Sequence, residues 1–223
     1  MIKLSSRLQA IQDEITRTNN IIIDVGCDHC KTAIYALQTK KASFVYNIEN
    51  KKLPLLNGIK HLSEHQLLQF TKNILGEGLT STEIKGTIDY CVISGMGGKN
   101  ITQIIKHQLP QIKIKTYIVV ANDHPEVIRA FLKKMNWIIN NEMIIESDHE
   151  PDTFFHLIKF QPRKGCKIKN QKEIFFGPIN LKKNISILTK YLIVRKKTIQ
   201  SFINVTKNQQ IIIENQLIDK ILH

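Results

Sequence analysis

Ile21-Ile22-Ile23-Asp24-Val25-Gly26-Cys27-Asp28-His29 reads as an apolar strand that stops at a glycine-containing loop. Val92-Ile93-Ser94-Gly95-Met96-Gly97-Gly98, about seventy residues later, has the same form. A buried parallel strand shows apolar residues to both faces, so it appears as a continuous run rather than an alternation. Open α/β sheets bind ligands at the loops on the carboxyl ends of such strands. Gly26 has no Cβ, so the backbone there can come close to a small molecule. The two stretches together predict a ligand cleft roofed by two strand-end loops.

Working outward, strands are expected at 20–25, 44–48, 70–74, 89–94 and 116–121. Helices are expected at 30–39, 54–68, 101–109 and 125–135, after an amphipathic helix over 4–17. Two closing strands follow, at 137–146 and 154–160. This alternation predicts an α/β fold with a parallel, doubly wound, Rossmann-like sheet. Residues 163–177 read as a basic connector without clear period, punctuated by Gly177-Pro178. Ile185, Leu188, Leu192, Ile199 and Phe202, then Ile213, Leu217 and Ile221, follow helical spacing on either side of Lys207-Asn208-Gln209-Gln210. That pattern predicts a small helical, coiled-coil hairpin, with one long helix as the alternative. The expected division is a first domain over 1–162 and a tail over 163–223.

The chain has 223 residues, of which 42% are hydrophobic, enough for one core and an appendage. No apolar run approaches the roughly 20 residues of a membrane span, and the start, Met1 to Arg7, has no signal-peptide pattern. Cys27, Cys30, Cys91 and Cys166 form no disulfide framework, which favours a reducing cytoplasm. Cys27-Asp28-His29-Cys30 has no second ligand pair elsewhere, so no metal is expected. The net charge is +13. From residue 163 onward thirteen Lys and Arg face three acids, which leaves +10 there and +3 in the first 162 residues. A solvated face under AT-rich coding bias explains part of this. The asymmetry favours a polyanion partner such as nucleic acid.

Within the cleft, an acid at the end of the second strand suits ribose hydroxyls, and Glu49 stands there. Glu77, in Gly76-Glu77-Gly78, suits an adenine amino group. The first loop lacks the G-x-G-x-x-G fingerprint, so a dinucleotide is disfavoured against S-adenosylmethionine, which has no pyrophosphate. Gly97-Gly98, directly after a strand, is expected to line the cleft.

These residues resemble the bacterial tRNA (adenine-22-N1)-methyltransferases. The resemblance rests on Lys3-Leu4-Ser5 with Arg7-Leu8, Asp24-Val25-Gly26-Cys27-Asp28-His29, Ala42-Ser43, Glu49 and Gly76-Glu77-Gly78-Leu79. It continues through Ile93-Ser94-Gly95-Met96-Gly97-Gly98, Asn122 and Gly177-Pro178. It departs at Ala121, where the family tends to have Pro, and in a shorter tail. It implies a class I methyltransferase domain, S-adenosylmethionine as cofactor, tRNA as partner and methyl transfer to N1 of adenine 22. It implies Asp28 and Asn122 as catalytic residues. The residues expected to meet the cofactor are Arg7, Asp24, Gly26, Asp28, His29, Glu49, Glu77, Gly78, Gly95, Met96, Gly97 and Gly98. Arg195, Lys196 and Lys197 are expected to meet RNA, and the chain is expected to act as a cytoplasmic monomer. A methyltransferase for another RNA position or for DNA, a non-catalytic nucleic-acid-binding module and a nicotinamide oxidoreductase are the rival readings.

Overall fold

The computed structural model describes residues 3–222; Met1, Ile2 and His223 lie outside it. After α1 (Ser6–Glu14), strands and helices alternate: β1 (Asn20–Val25), α2 (Lys31–Gln38), β2 (Ala42–Glu49), α3 (Lys52–Glu64) and β3 (Thr71–Leu75). Then come β4 (Thr87–Met96), α4 (Gly98–Lys106), β5 (Lys113–Ala121), α5 (Pro125–Met135), β6 (Trp137–Glu146) and β7 (Phe154–Lys164). The seven strands form one sheet in the order β3-β2-β1-β4-β5-β7-β6. The first five are mutually parallel. The expectation of a parallel sheet is corrected at its edge, where β7 runs antiparallel to both β5 and β6. The short turn between β6 and β7 leaves no room for a crossover helix, so the two strands form a hairpin.

Successive strand residues point to opposite faces, which explains the continuous apolar runs. Ile22, Tyr90, Val92 and Leu157 pack under α1, α2 and α3 through Ile11, Ile15, Ile34 and Leu62. Ile23, Val25, Cys91, Ile93 and Ile158 pack on the other face with Ile101 and Ile105 of α4 and Ile128 and Leu132 of α5. Strand order reverses direction between β1 and β4, which makes their carboxyl ends the switch point where a crevice opens.

The stretch read as an irregular connector is partly ordered. β7 continues through Lys164, past the expected boundary at 162, and α6 (Gln171–Phe176) and α7 (Asn180–Lys183) follow. α8 (Ile185–Gln200) and α9 (Gln209–Leu222) complete the chain, so the alternative of one long helix is excluded. Leu188, Leu192, Ile199 and Ile218 of this pair bury against Phe175 and Phe176, and also against Ile144 and Phe154 of the sheet. A buried ion pair fastens the tail further. Arg129 Nε donates to Glu142 Oε1 at 2.6 Å, with both side chains fully buried. Arg129 also donates to the carbonyls of Ile174 and Phe175, while Glu142 accepts from the Ile179 N–H. Gly177 makes room for this carboxylate, since a Cβ there would lie 2.6 Å from Glu142 Oε2.

Candidate active site

At the switch point lies a cavity of about 360 Å³, lined by Val25, Gly26, Ile48, Glu49, Gly76, Glu77, Gly78 and Met96. Five expected cofactor residues therefore meet there: Gly26, Glu49, Glu77, Gly78 and Met96. Glu49 is buried at the end of β2, where its Oε1 accepts from the Lys51 N–H at 3.0 Å and its other oxygen accepts nothing from the described residues. A carboxylate with one open oxygen fits paired ribose hydroxyls, and the loop of Glu77 fits an adenine edge, so the residues present suit S-adenosylmethionine. Asn50, and Asn100 and Gln103 on α4, also line the cavity and were missed. The available signal was their i, i+3 spacing just after Gly98, which puts both on one helix face.

The glycines divide by cause. Gly26 has φ +77°, and a Cβ would lie 2.7 Å from Met96 Cε, so it serves both turn and close approach. Gly95 has φ +82° and sits where the β4–β5 register shifts, so it forms a bulge that lets Met96 pair with Ala121. Gly97 and Gly98 are not among the residues lining the cavity. A Cβ on Gly97 would lie 2.3 Å from Asp123 Oδ1, and one on Gly98 would lie 2.1 Å from the His124 carbonyl oxygen. Their smallness admits the loop after β5.

The Asp28 loop is held in an unusual shape. Gly26, Asp28 and Cys30 all have positive φ, at +77°, +35° and +51°. The Gly26 and Cys27 N–H groups donate to the Ile48 carbonyl, and the Cys30 N–H donates to Cys27 O at 2.6 Å. Strain of this kind clusters at functional loops. Asp28 and His29 are exposed, with His29 Nε2 3.4 Å from Asp28 Oδ2 and its ring stacked on His61 of α3 at 5.4 Å. Neither lines the cavity. Gly58 of α3 lets the helix sit against this loop, since a Cβ would meet Cys30 Sγ at 2.5 Å and Asp28 O at 2.7 Å. Asp24 lies buried beneath the loop. Cys27 and Cys30 are buried free thiols, and their mutual hydrogen bond followed by burial pushes the Cys27 pKa far up. Among the described residues no group of His, Cys, Asp or Glu is placed to hold a metal.

Asn122 follows β5, and its N–H donates to Met96 O at 3.0 Å. This bond joins the rim of the switch-point cavity to a neighbouring hollow of about 350 Å³, lined by Ser5, Arg7, Asn122, Glu146, Ser147, Asp148, His149, Glu150 and Phe155. Arg7, expected at the cofactor, lines this hollow, with its guanidinium 4.9 Å from the Phe155 ring centre. In the tail, Arg195 makes two hydrogen bonds to Glu214 at 2.8 and 2.7 Å, and Lys196 pairs with Asp219 at 2.8 Å. Two of the three residues expected to meet RNA are thus engaged between α8 and α9; Lys197 is exposed and in no ion pair among the described residues.

A family model described as tRNA (adenine(22)-N(1))-methyltransferase matches residues 22–223. A protein of Mycoplasma genitalium, provisionally named a tRNA methyltransferase, is 24% identical over 192 residues, 84% of each chain. The TrmK structure of M. capricolum, in complex with S-adenosyl-homocysteine, is 27% identical. It covers 98% of this chain and 96% of its own, with a TM-score of 0.81. The tRNA (adenine-22-N1) methyltransferase TrmK of B. subtilis shares the fold at 22% identity, with all of both chains covered and a TM-score of 0.83.

Proposed function

The chain belongs to the tRNA (adenine(22)-N(1))-methyltransferase family, and on that premise we propose which of its residues carry the reaction. It is an S-adenosylmethionine-dependent enzyme that methylates N1 of adenine 22 in tRNA. The observation that carries the site reading is the cavity at the β1/β4 switch point, lined by Gly26, Glu49, Glu77, Gly78 and Met96. S-adenosylmethionine supplies an electrophilic methyl group on a sulfonium centre. Glu49 holds the ribose and Glu77 the adenine edge of the cofactor, while Gly26 lets the chain approach it. Asp24 is buried at the carboxyl end of β1, next to the Gly26 loop in the chain.

Adenine N1 has an in-plane lone pair, so no strong base is needed to create the nucleophile. The task is alignment. N1 lies on the Watson–Crick edge, so the base must leave its stack to be reached. Asn122, tied to Met96 at the cavity rim, hydrogen-bonds that edge. Asp28 presents an exposed carboxylate on the β1 loop and accepts a proton from, or balances the charge on, the methylated base. The tail contributes tRNA affinity, and residues up to about 162 contribute the chemistry. Lack of disulfides among the described cysteines supports a reducing cytoplasm as the place of action, and the active species is a monomer. Among the described residues no helix is long and apolar enough to cross a membrane.

One comparison tests the assignment. Calorimetry with S-adenosylmethionine and mass-spectrometric mapping of methylated tRNA are run on the parent, Glu49→Ala and Asp28→Ala. Glu49→Ala is expected to weaken the cofactor by roughly 1–3 kcal/mol, the cost of losing a charged hydrogen-bond partner. Asp28→Ala is expected to bind cofactor normally and to lose on the order of 10²-fold or more in turnover. Full turnover in Asp28→Ala removes Asp28 from the mechanism.

A further inference from the structure

The hollow beside Asn122 has a chemistry of its own in a chain of net charge +13. Its outer wall is the β6–β7 turn, which carries Asp148 and Glu150, both exposed. The turn is fixed by its own bonds, with Ser147 Oγ accepting from the His149 and Glu150 N–H groups. It is also clamped to α1, since the Ser6 N–H donates to Asp148 Oδ2 at 2.6 Å and the Ser6 hydroxyl donates to Asp148 Oδ1. These two donors hold the Asp148 carboxyl below its ordinary pKa. Glu146, on the same wall, is paired with Lys190. The inner wall is Arg7 lying over Phe155, and the Arg7 Nε is buried without a partner among the described residues.

We propose that this hollow receives the unstacked target adenine, and that Asp148 and Glu150 stabilise the positive charge that N1 methylation creates on it. The inference rests on the family reading above and deepens it by naming the substrate-base subsite. Three observations converge. The hollow adjoins the cofactor cavity through the Asn122–Met96 hydrogen bond, so a base in it lies beside the methyl donor's site. Guanidinium planes and aromatic rings are the surfaces on which proteins stack single bases, and Arg7 over Phe155 supplies one. The carboxylates fit the course of the reaction. The N1 lone pair forms the new N–C bond as the C–S bond breaks, and the C–S electron pair stays on sulfur. The positive charge passes from sulfur to the base, and no proton has to leave in that step. Among the residues lining the hollow Arg7 opposes a cationic base and Asp148 and Glu150 offset it, while Lys3 acts on Asp148 from outside the lining. Negative groups fixed where positive charge develops favour the transition state over the neutral substrate.

The test uses the full chain as parent, Asp148→Asn, Glu150→Gln, the double variant and Phe155→Leu. Asp148→Asn keeps an acceptor for Ser6, and Glu150 is exposed, so folding is spared. Three quantities are read: single-turnover methyl transfer, cofactor affinity, and affinity for tRNA with and without N1-methylated adenine. The double variant is expected to transfer methyl on the order of tenfold more slowly at unchanged cofactor affinity. Its preference for methylated over unmethylated tRNA should shrink relative to the parent, a charge effect that a merely structural role would not produce. Phe155→Leu is expected to raise the tRNA concentration for half-maximal rate without touching cofactor binding. Parent-like rate and parent-like preference in the double variant overturn the charge role, and an unaltered Phe155→Leu overturns the base subsite. A parent that leaves tRNA unmethylated overturns the family-based reading, and this inference with it.

Discussion

Asp24 is buried near the end of β1, and desolvation lifts its carboxyl pKa to about 7 against a hydrogen bond from Thr32 that lowers it. Between the unfolded value of about 3.9 and 7, the folded chain holds a proton that the unfolded chain has lost. The contribution of this group to stability is therefore complete below about pH 4 and is lost as pH rises through 7. His156 does the reverse. Burial, then the charges of Arg129 and Arg195, lower its pKa to about 3, so its contribution is complete above about pH 6.5 and is lost as pH falls toward 3. In melting curves taken from pH 4 to 8, Asp24→Asn should flatten the loss between about pH 4 and 7. His156→Gln should flatten the loss on the acid side. Parallel curves for all three proteins would contradict both. The glycines give a second residue-scale expectation. Gly95 has open space around it, and Gly98 faces the His124 carbonyl. Gly95→Ala should cost about 1–2 kcal/mol from its positive φ alone. Gly98→Ala should cost clearly more, because backbone must move, and it should displace the loop of Asn122. Denaturant titration of the two variants ranks them.

At the scale of elements, the buried Arg129–Glu142 pair does what no apolar pattern announces, joining α5 and β6 to α6 and α7. Removing one partner of a buried pair strands a charge and costs about 3–5 kcal/mol, whereas replacing both by apolar residues is far milder. Glu142→Leu should therefore be strongly destabilising, and Arg129→Met combined with Glu142→Leu should recover much of the loss. Urea unfolding of the single and double variants measures it; equal losses would mean the pair contributes little. The alternation of apolar runs and helical periods made β1, β2, β4 and β5 readable, because a strand buried on both faces is apolar throughout. The direction of β7 was not readable, because an antiparallel strand covered on both faces carries the same run. α6 and α7 were missed for a related reason: six and four residues are too short to display a period.

For the whole molecule, the surplus of +10 after residue 162 must be corrected for internal pairing. Arg195 and Lys196 are engaged by Glu214 and Asp219, so replacing them would disturb the helix pair as well as any binding of RNA. Lys182, Lys183, Lys197 and Lys207 are exposed and unpaired among the described residues. Replacing these four by Ala should weaken tRNA binding and flatten its salt dependence by roughly 0.7–0.9 in slope for each phosphate that is no longer neutralised. Cofactor affinity should stay constant, since the cavity lies at the β1/β4 end of the sheet. A filter-binding series across salt that superimposes on the parent would leave the tail with a packing role only. The sequence by itself located the strand-end loops that line the switch-point cavity, with Gly26 read for close approach and Glu49 and Glu77 after successive strands, because each is set by local chain pattern. It also carried the family through motifs spread along the chain. Only the tertiary structure decided that Gly97 and Gly98 accommodate the Asn122 loop, that Arg7 meets Phe155 across 148 positions of sequence, and that Arg195 is bound to Glu214. Such pairings depend on which surfaces the packed sheet and helices bring together, and no spacing along one chain encodes that.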